Sequence, residues 1–311
     1  MGRAVGRQRR LLITGWLCGS SAAFIWAVFQ VLSKHGLSSG GFEPLDLTLF
    51  RFGIPGLILL PVALTRGRRE MRRLGALRVA LLTLASGPAL GMSTMVGYSL
   101  APLSHGAVLF PAFTTLFGVL LSRIILGTQH TLEQRCGLVL TVFGLLVVGG
   151  GAYGGTQREL CGDAFFALSG LLWGSYTVLL KLWKVDGLCG AAIVGVWSSL
   201  LIVGLYVAFG DIGHLLAAPR SAFWIQAVFQ GVFAGVLAVI TYGYAVQYLG
   251  AAMAALFPAT IPLLALTLGA LTIGAEIHTA QWLGLLITTL GLLFAVGFLR
   301  IRLASALSSR N

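Results

Sequence analysis

The chain has 311 residues, of which 57% are apolar and only 10% charged, and it carries a formal net charge of +12. That composition excludes an ordinary soluble domain, and the length leaves no room for one beside a full set of membrane helices. The acidic residues Glu43, Asp46, Glu70, Glu133, Glu159, Asp163, Asp186, Asp211 and Glu276 all fall between long apolar runs or near their ends.

Apolar runs of roughly 20 residues cross about 30 Å of hydrocarbon as helices. Ten are expected, near 12–33, 44–65, 76–98, 102–122, 132–152, 160–182, 188–209, 222–247, 249–270 and 279–300. The first follows Arg3, Arg7, Arg9 and Arg10. It is too long for a signal-peptide core and has no clean small-residue cleavage site, so it is kept as a span. The third and fourth spans, and the eighth and ninth, are nearly continuous; they are cut at Ala101-Pro102 and Leu249-Gly250.

The basic residues sort by side. With the N-terminus in the cytoplasm, the clusters Arg3–Arg10 and Arg66–Arg78, together with Arg123, Arg135, Lys181, Lys184, Arg300, Arg302 and Arg310, fall inside. Only Lys34, Arg51, Arg158 and Arg220 fall outside or within the membrane. This asymmetry puts both termini in the cytoplasm of a multi-pass inner-membrane protein. Bilayer flanks the Arg66–Arg73 cluster on both sides and aromatic platforms are lacking. Anionic lipid is therefore its expected partner, and no nucleic acid is expected.

The chain is duplicated. Leu109-Phe110-Pro111-Ala112 returns as Leu256-Phe257-Pro258-Ala259, an offset of 256 minus 109, or 147. The same offset takes Gly15 to Gly162, Trp26 to Trp173, Lys34 to Lys181, Thr94 to Thr241, Gln134 to Gln281 and Gly144 to Gly291, without a gap. Rare residues such as Trp, Pro and Gln do not align this way by chance, so two repeats are expected over 12–152 and 160–300. Five spans per repeat is an odd number, so the copies must lie in opposite orientations. Inverted repeats suit a carrier: exchanging the conformations of the halves moves an opening from one face to the other.

Several of these residues form a recognisable set. Trp26 precedes Lys34 by eight positions, and Leu172-Trp173-Gly174-Ser175-Tyr176 precedes Lys181. Leu49-Phe50-Arg51-Phe52, the central Pro111 and Pro258, and Gly274-Ala275-Glu276 followed by Gln281-Trp282-Leu283-Gly284 complete it. In these features the chain resembles the ten-helix, EamA-type branch of the drug/metabolite transporter superfamily. The resemblance implies an all-α polytopic membrane protein with two inverted five-helix repeats. It also implies that helices 1–4 and 6–9 surround a central cavity, with 5 and 10 outside. The chain departs from the pattern at Gly127-Thr128-Gln129, where an acid is expected, and at Ser198, the counterpart of Arg51.

Polar side chains are costly in lipid and should face a protein interior or water. Trp26 and Gln30 share one helix face, and so do Trp173 and Tyr176; each pair either lines a substrate site or belongs to an interfacial belt. Tyr98, Trp197 and Tyr242, nearer the span ends, carry the same two readings. Gln230, with Gln226 on its face, is a further candidate. Arg51 either snorkels outward, pairs with a nearby acid such as Asp46, or attracts a carboxylate or phosphate of a substrate. His105, at the start of the fourth span, is either a titrating gate or simply solvated. Pro111 and Pro258 serve as hinges or fixed kinks.

No nucleophilic triad, metal-binding spacing or Walker loop occurs, so no enzyme and no cofactor is expected. The expected function is an inner-membrane carrier, an exporter of small amphipathic metabolites such as amino acids, working as a monomer or homodimer by alternating access. An organic-anion or phosphate-ester exchanger ranks second. A lipid-modifying membrane enzyme and a non-transporting subunit rank below both.

Overall fold

The computed structural model describes residues 2–129, 131–150, 156–254, 256–276 and 278–295, and all regular structure among them is helical. The ends of the two expected repeats, 151–152 and 296–300, lie outside the described residues. The main helices are α1 (Gly2–Ser38), α2 (Pro44–Ile58), α3 (Leu60–Leu74), α4 (Ala76–Leu100), α5 (Leu103–Leu126), α6 (Leu132–Gly150), α7 (Gln157–Leu182), α8 (Gly187–Phe209), α9 (Arg220–Leu249), α10 (Leu256–Ile273) and α11 (Thr279–Ala295). Among the described residues, seven helices are long and apolar enough to cross a membrane, or eight if the bent pair α2 and α3 counts as one span.

Local chemistry sets the interruptions. The expected second span bends by 51° between α2 and α3. There Pro61 offers no N–H to the carbonyl four residues back, which removes a helix bond. In α4 the helix is broken at Gly87, just before Pro88. The corresponding stretch of α9 is a π-helix, Ala227–Leu237. Such widened turns are uncommon and cluster at functional sites. By contrast α5 runs unbroken through Pro111, whose main-chain oxygen accepts the Thr115 hydroxyl at 3.0 Å. Pro258 lies in the first turn of α10.

The packing follows the 147-residue offset. Around a ring the neighbours are α5, α7, α4, α8, α2, α9, α1 and α10, and α10 closes back on α5. Helices α6 and α11 stand outside, packed on each other and against α5 and α10. Where they cross, the backbones touch. A Cβ on Gly137 would lie 2.3 Å from Ala295 N, one on Gly144 would lie 2.3 Å from Thr288 Oγ1, and one on Gly291 would lie 2.5 Å from Thr141 N. Small residues are what allow so close an approach. The order of these contacts makes the pair antiparallel. Thr141 and Thr288 are equivalent positions, so equivalent helices run in opposite directions and the copies are inverted. The same holds for α2 and α8. Asp46 meets Tyr206, Gly53 meets Ser199, and Gly67 lies towards Ile193.

The two ends of the ring differ. At the face where α1 and α4 end, Lys34 Nζ donates to Tyr98 O at 2.9 Å and Ala101 O at 2.8 Å, joining helices that are not ring neighbours. Beneath it the fully buried Tyr98 and Phe166 stack edge to face at 5.0 Å within a core that also takes in Val31, Leu103 and Ala107. This Lys34 face is closed across the ring. At the opposite face Arg73 Nη2 donates to Trp183 O and Lys184 O. The core there, with Leu74, Val79, Leu82, Tyr176, Val185, Ile193 and Val194, joins only α3, α4, α7 and α8. The α9 residues Tyr244 and Gln247 are exposed at this Arg73 face. Gly144→Leu, which inserts a branched side chain into the α6–α11 crossing, is expected to cost at least about 2 kcal/mol, read as a lower melting temperature and loss of monodisperse protein in detergent.

Candidate functional site

The contacts of α2 with α8 fix the depth of Arg51. Arg51 and Ser198 are equivalent positions, and the crossing beside them, Ser199 Oγ to Gly53 O at 3.1 Å, lies where a two-fold relating inverted copies must pass. That axis runs in the membrane plane, so Arg51 starts from mid-depth. Its side chain does not reach for either surface. The guanidinium lies over the ring of Phe29 at 5.2 Å and near that of Phe52 at 5.9 Å. A Cβ on Gly235, in the π-helical part of α9, would sit 3.1 Å from Arg51 Nη1 and 3.1 Å from Gln230 O. Its closest approach would be to Pro55 Cγ, at 2.4 Å, so the glycine admits the α2 proline beside the widened turn, with the cation next to it. Pro55 has no N–H for the main-chain oxygen of Arg51, so that acceptor also lacks its helix donor.

Among the described residues no carboxylate pairs with Arg51. The expectation that Asp46 serves as its partner is corrected here. Asp46 is 2% exposed and already committed: Oδ1 accepts the Tyr206 hydroxyl at 2.7 Å, Oδ2 accepts Glu43 N at 2.8 Å, and His214 Nδ1 lies 3.8 Å away. Arg51 is thus a half-buried cation at mid-depth, set against two aromatic rings and without a paired acid among the described residues.

The α1–α9 interface beside it is polar. Gln226 Nε2 donates to Leu32 O at 2.7 Å, and Gln230 Nε2 donates to Ser33 Oγ at 3.0 Å and Gln226 Oε1 at 3.1 Å. Gln30 and Gln230 are buried, and their Oε1 atoms have no partner among the described residues. Buried acceptors without donors are uncommon and call for a water or a ligand. Towards the Arg73 face on the same seam, Trp26 meets Tyr242 with ring centroids 5.4 Å apart. The equivalent α4–α7 seam is also polar: Ser93 and Ser169 hydroxyls lie 2.6 Å apart, and Thr94 donates to Ser169 at 3.1 Å.

The other sequence candidates lie elsewhere. Trp173 stacks at 5.4 Å on Tyr176 of its own helix, against the apolar core at the Arg73 face. Trp197 is 44% exposed and its indole N–H points at Met71 Sδ, 3.4 Å away. Tyr98 is fully buried in the closure of the Lys34 face, and its hydroxyl has no partner among the described residues. His105 is neither lone nor solvated. It is 3% exposed, and its Nδ1 lies 2.8 Å from Asp163 Oδ1 on α7. The structure therefore places Trp26, Gln30, Arg51, Gln230 and Tyr242 on α1, α2 and α9, with Tyr98 in the core on which Trp26 and Tyr242 pack, while His105, Trp173, Tyr176 and Trp197 stand on α5, α7 and α8. Phe29, Gly235 and Asp163 were not singled out by sequence. Only Asp163, an acid two turns into a helix, carried a signal that could have found it.

A separate cleft of ≈ 290 Å³ on the Arg73 face is lined by Thr65, Arg68, Arg69 and Arg72. Clustered guanidinium groups beside a bilayer attract anionic headgroups.

Comparison with known proteins agrees with this architecture. The model of the EamA-like transporter family matches residues 13–150 and again 160–297. The chain belongs to the EamA-like transporter family. It is similar to an uncharacterized transporter, YyaM, of Bacillus subtilis, 25% identical over 288 residues, covering 89% of this chain and 92% of that one. It is also similar to an uncharacterized inner membrane transporter, YedA, of Escherichia coli, 24% identical over 275 residues, covering 84% and 83%. A solved structure, described only as the crystal structure of a protein, superposes with a TM-score of 0.63 at 19% identity over 93% of this chain and 98% of that one, which speaks for the fold alone. As an EamA-like protein the chain is a membrane transporter acting within a lipid bilayer on small molecules. His105→Ala would strand the Asp163 carboxylate at the α5–α7 contact. It is expected to lower stability by about 1–3 kcal/mol, measured as a drop in the melting temperature of the purified transporter; an unchanged value would mean the pair bears no structural load.

Proposed function

We propose that this chain is an inner-membrane exporter of small amphipathic metabolites that carry a carboxylate, amino acids first among them. It works by alternating access of two five-helix repeats, 12–152 and 160–300, with ten spans and both termini in the cytoplasm. The observation that carries this reading is Arg51: a guanidinium at mid-depth with two aromatic faces and no acid of its own among the described residues. A charge held there costs several kcal/mol in lipid, and such intramembrane cations are retained where they meet a substrate or ion. Bidentate recognition of a carboxylate is what the planar guanidinium does best. The partnerless Gln30 and Gln230 acceptors nearby suit a donor such as an ammonium group. Trp26 and Tyr242 supply an apolar wall.

In this reading Trp26, Gln30, Arg51, Gln230 and Tyr242 bind substrate, and Tyr98, His105, Trp173, Tyr176 and Trp197 contact it or govern its passage as the bundle opens. Pro111 and Pro258 act as hinges beside the two-fold. A dianionic phosphate ester would call for more than one cation at the site, so the anion-exchanger reading takes second place. Transport of labelled amino acids in proteoliposomes, with and without a pH gradient, tests the reading; absence of flux for every member of a broad metabolite panel would overturn it. Arg51→Ala is expected to lower flux at least tenfold, the loss of about 1.4 kcal/mol or more of substrate interaction, with normal insertion, and Arg51→Lys to restore part of it. Trp26→Ala should also lose flux, and retention of wild-type rates would remove it from the site. For orientation, a cysteine at Ser39 should react with an impermeant thiol reagent on intact cells, and one at Arg69 only after the membrane is opened.

A further inference from the structure

Lys34 and Lys181 are equivalent positions in inverted repeats, yet their surroundings differ. Lys34 is partly buried and donates to Tyr98 O and Ala101 O. The sequence explains the first acceptor. Four residues after Tyr98 stands Pro102, which has no N–H, so the Tyr98 carbonyl is left without a helix donor. Ala101 O lies just past the end of α4, where carbonyls are unsatisfied and the helix dipole favours a cation. Arg158 Nη2 adds a bond to Ser99 O at 3.2 Å. The end of α4 is thereby pinned to α1 across the ring.

The offset carries Lys34 to Lys181 and Ala101 to Tyr248. Lys181 stands in the last turn of α7 and Tyr248 in the last turn of α9. Lys181 is exposed, and its side chain makes no bond to another described residue. The ending of α9 is the same kind of acceptor: Gly250 N donates to Val246 O at 2.9 Å as the last bond of the helix, so the carbonyls of Gln247, Tyr248 and Leu249 have no helix donor among the described residues. In Tyr98's place stands Ala245, whose partner position is Leu249 rather than a proline, so Tyr248 O is the open acceptor. The contact between α1 and α4 has no comparable counterpart between α7 and α9.

We infer that Lys34 and Lys181 are paired latches. Lys34 holds the Lys34 face shut in the present conformation. When that face opens its bonds break, and Lys181 donates to Tyr248 O to shut the Arg73 face. Each latch is a long flexible stem with three donors, able to find carbonyls on a moving helix. The inference rests on the alternating-access reading and adds the two residues that hold its end states.

The test needs no transported compound. In the full chain, with Cys18, Cys136, Cys161 and Cys189 replaced by Ala, cysteine pairs are placed at equivalent positions: His35→Cys with Leu100→Cys at the Lys34 face, and Leu182→Cys with Gln247→Cys at the Arg73 face. Cross-linking by a short bifunctional maleimide in native membranes then reports how often each face closes. Lys181→Ala is expected to slow cross-linking at the Arg73 face about tenfold without slowing it at the Lys34 face. Lys34→Ala is expected to do the reverse, slowing the Lys34-face pair and speeding the other, and Lys34→Arg to stay near wild type. A purely structural lysine would move both faces together or neither, and either result would overturn the inference. So would a wild-type rate at the Arg73 face in Lys181→Ala. That variant alone decides the matter if Lys34→Ala fails to accumulate, because Lys181 holds no bond that the described fold needs. Opposed shifts without metabolite flux would leave the latches standing and count against the proposed substrates.

Discussion

The arrangement depends on one contact made twice: equivalent helices meeting antiparallel at close range. At α6 and α11 the meeting is backbone against backbone, through Gly137, Thr141 and Gly144 on one side and Thr288 and Gly291 on the other. At α2 and α8 it runs through Gly53, Ser199 and the Asp46–Tyr206 bond. These crossings place the two-fold, and the two-fold sets what lies at mid-depth. Lipid offers little hydrophobic drive for helix association, so close packing and buried polar bonds must supply it. The amide cluster between α1 and α9 and the hydroxyl cluster between α4 and α7 do so at equivalent seams with different chemistry.

Two copies of one plan occupy unlike conformations. Tight packing makes such bundles switch between discrete arrangements rather than deform smoothly. The Lys34 face is closed by an aromatic core and by a cation on helix-end carbonyls, while the core at the Arg73 face takes in α3, α4, α7 and α8 and does not reach α1, α9 or α10. The departures from α-geometry at corresponding depths, the Gly87 break in α4 and the π-helix in α9, mark where each copy of that plan can bend.

Much of this was legible in the chain. The offset of 147 needs only rare residues in register, and the five spans expected in each copy already called for inversion. The helix junctions at Ala101-Pro102 and Leu249-Gly250 fall where the backbone turns, because Pro and Gly act locally. Contacts between distant segments were not legible. Asp46 lies five positions from Arg51, which suggested a pair, but its partner Tyr206 comes from the other repeat. His105 looked solvated because Asp163 lies far away in sequence. The π-helix leaves no trace in composition, since it changes only which carbonyl each N–H finds. The bend at Leu59 divides what hydropathy shows as one run, which accounts for the step between seven spans and eight, and Thr279–Ala295 is an apolar helix too short to count by length.

The setting of Arg51 bears on how the chain is made. A membrane helix bearing an arginine at its centre enters the bilayer poorly by itself, at a penalty of about 2.5–3.5 kcal/mol on insertion scales. Phe29, which covers the cation, lies on the helix synthesised just before, so the first two helices can enter as a hairpin with the charge already shaded. Gly235, another neighbour, emerges only in the last third of the chain. Until then the α9 side of the guanidinium has no protein against it, and a chain stopped before α9 should be a substrate for membrane quality-control proteases.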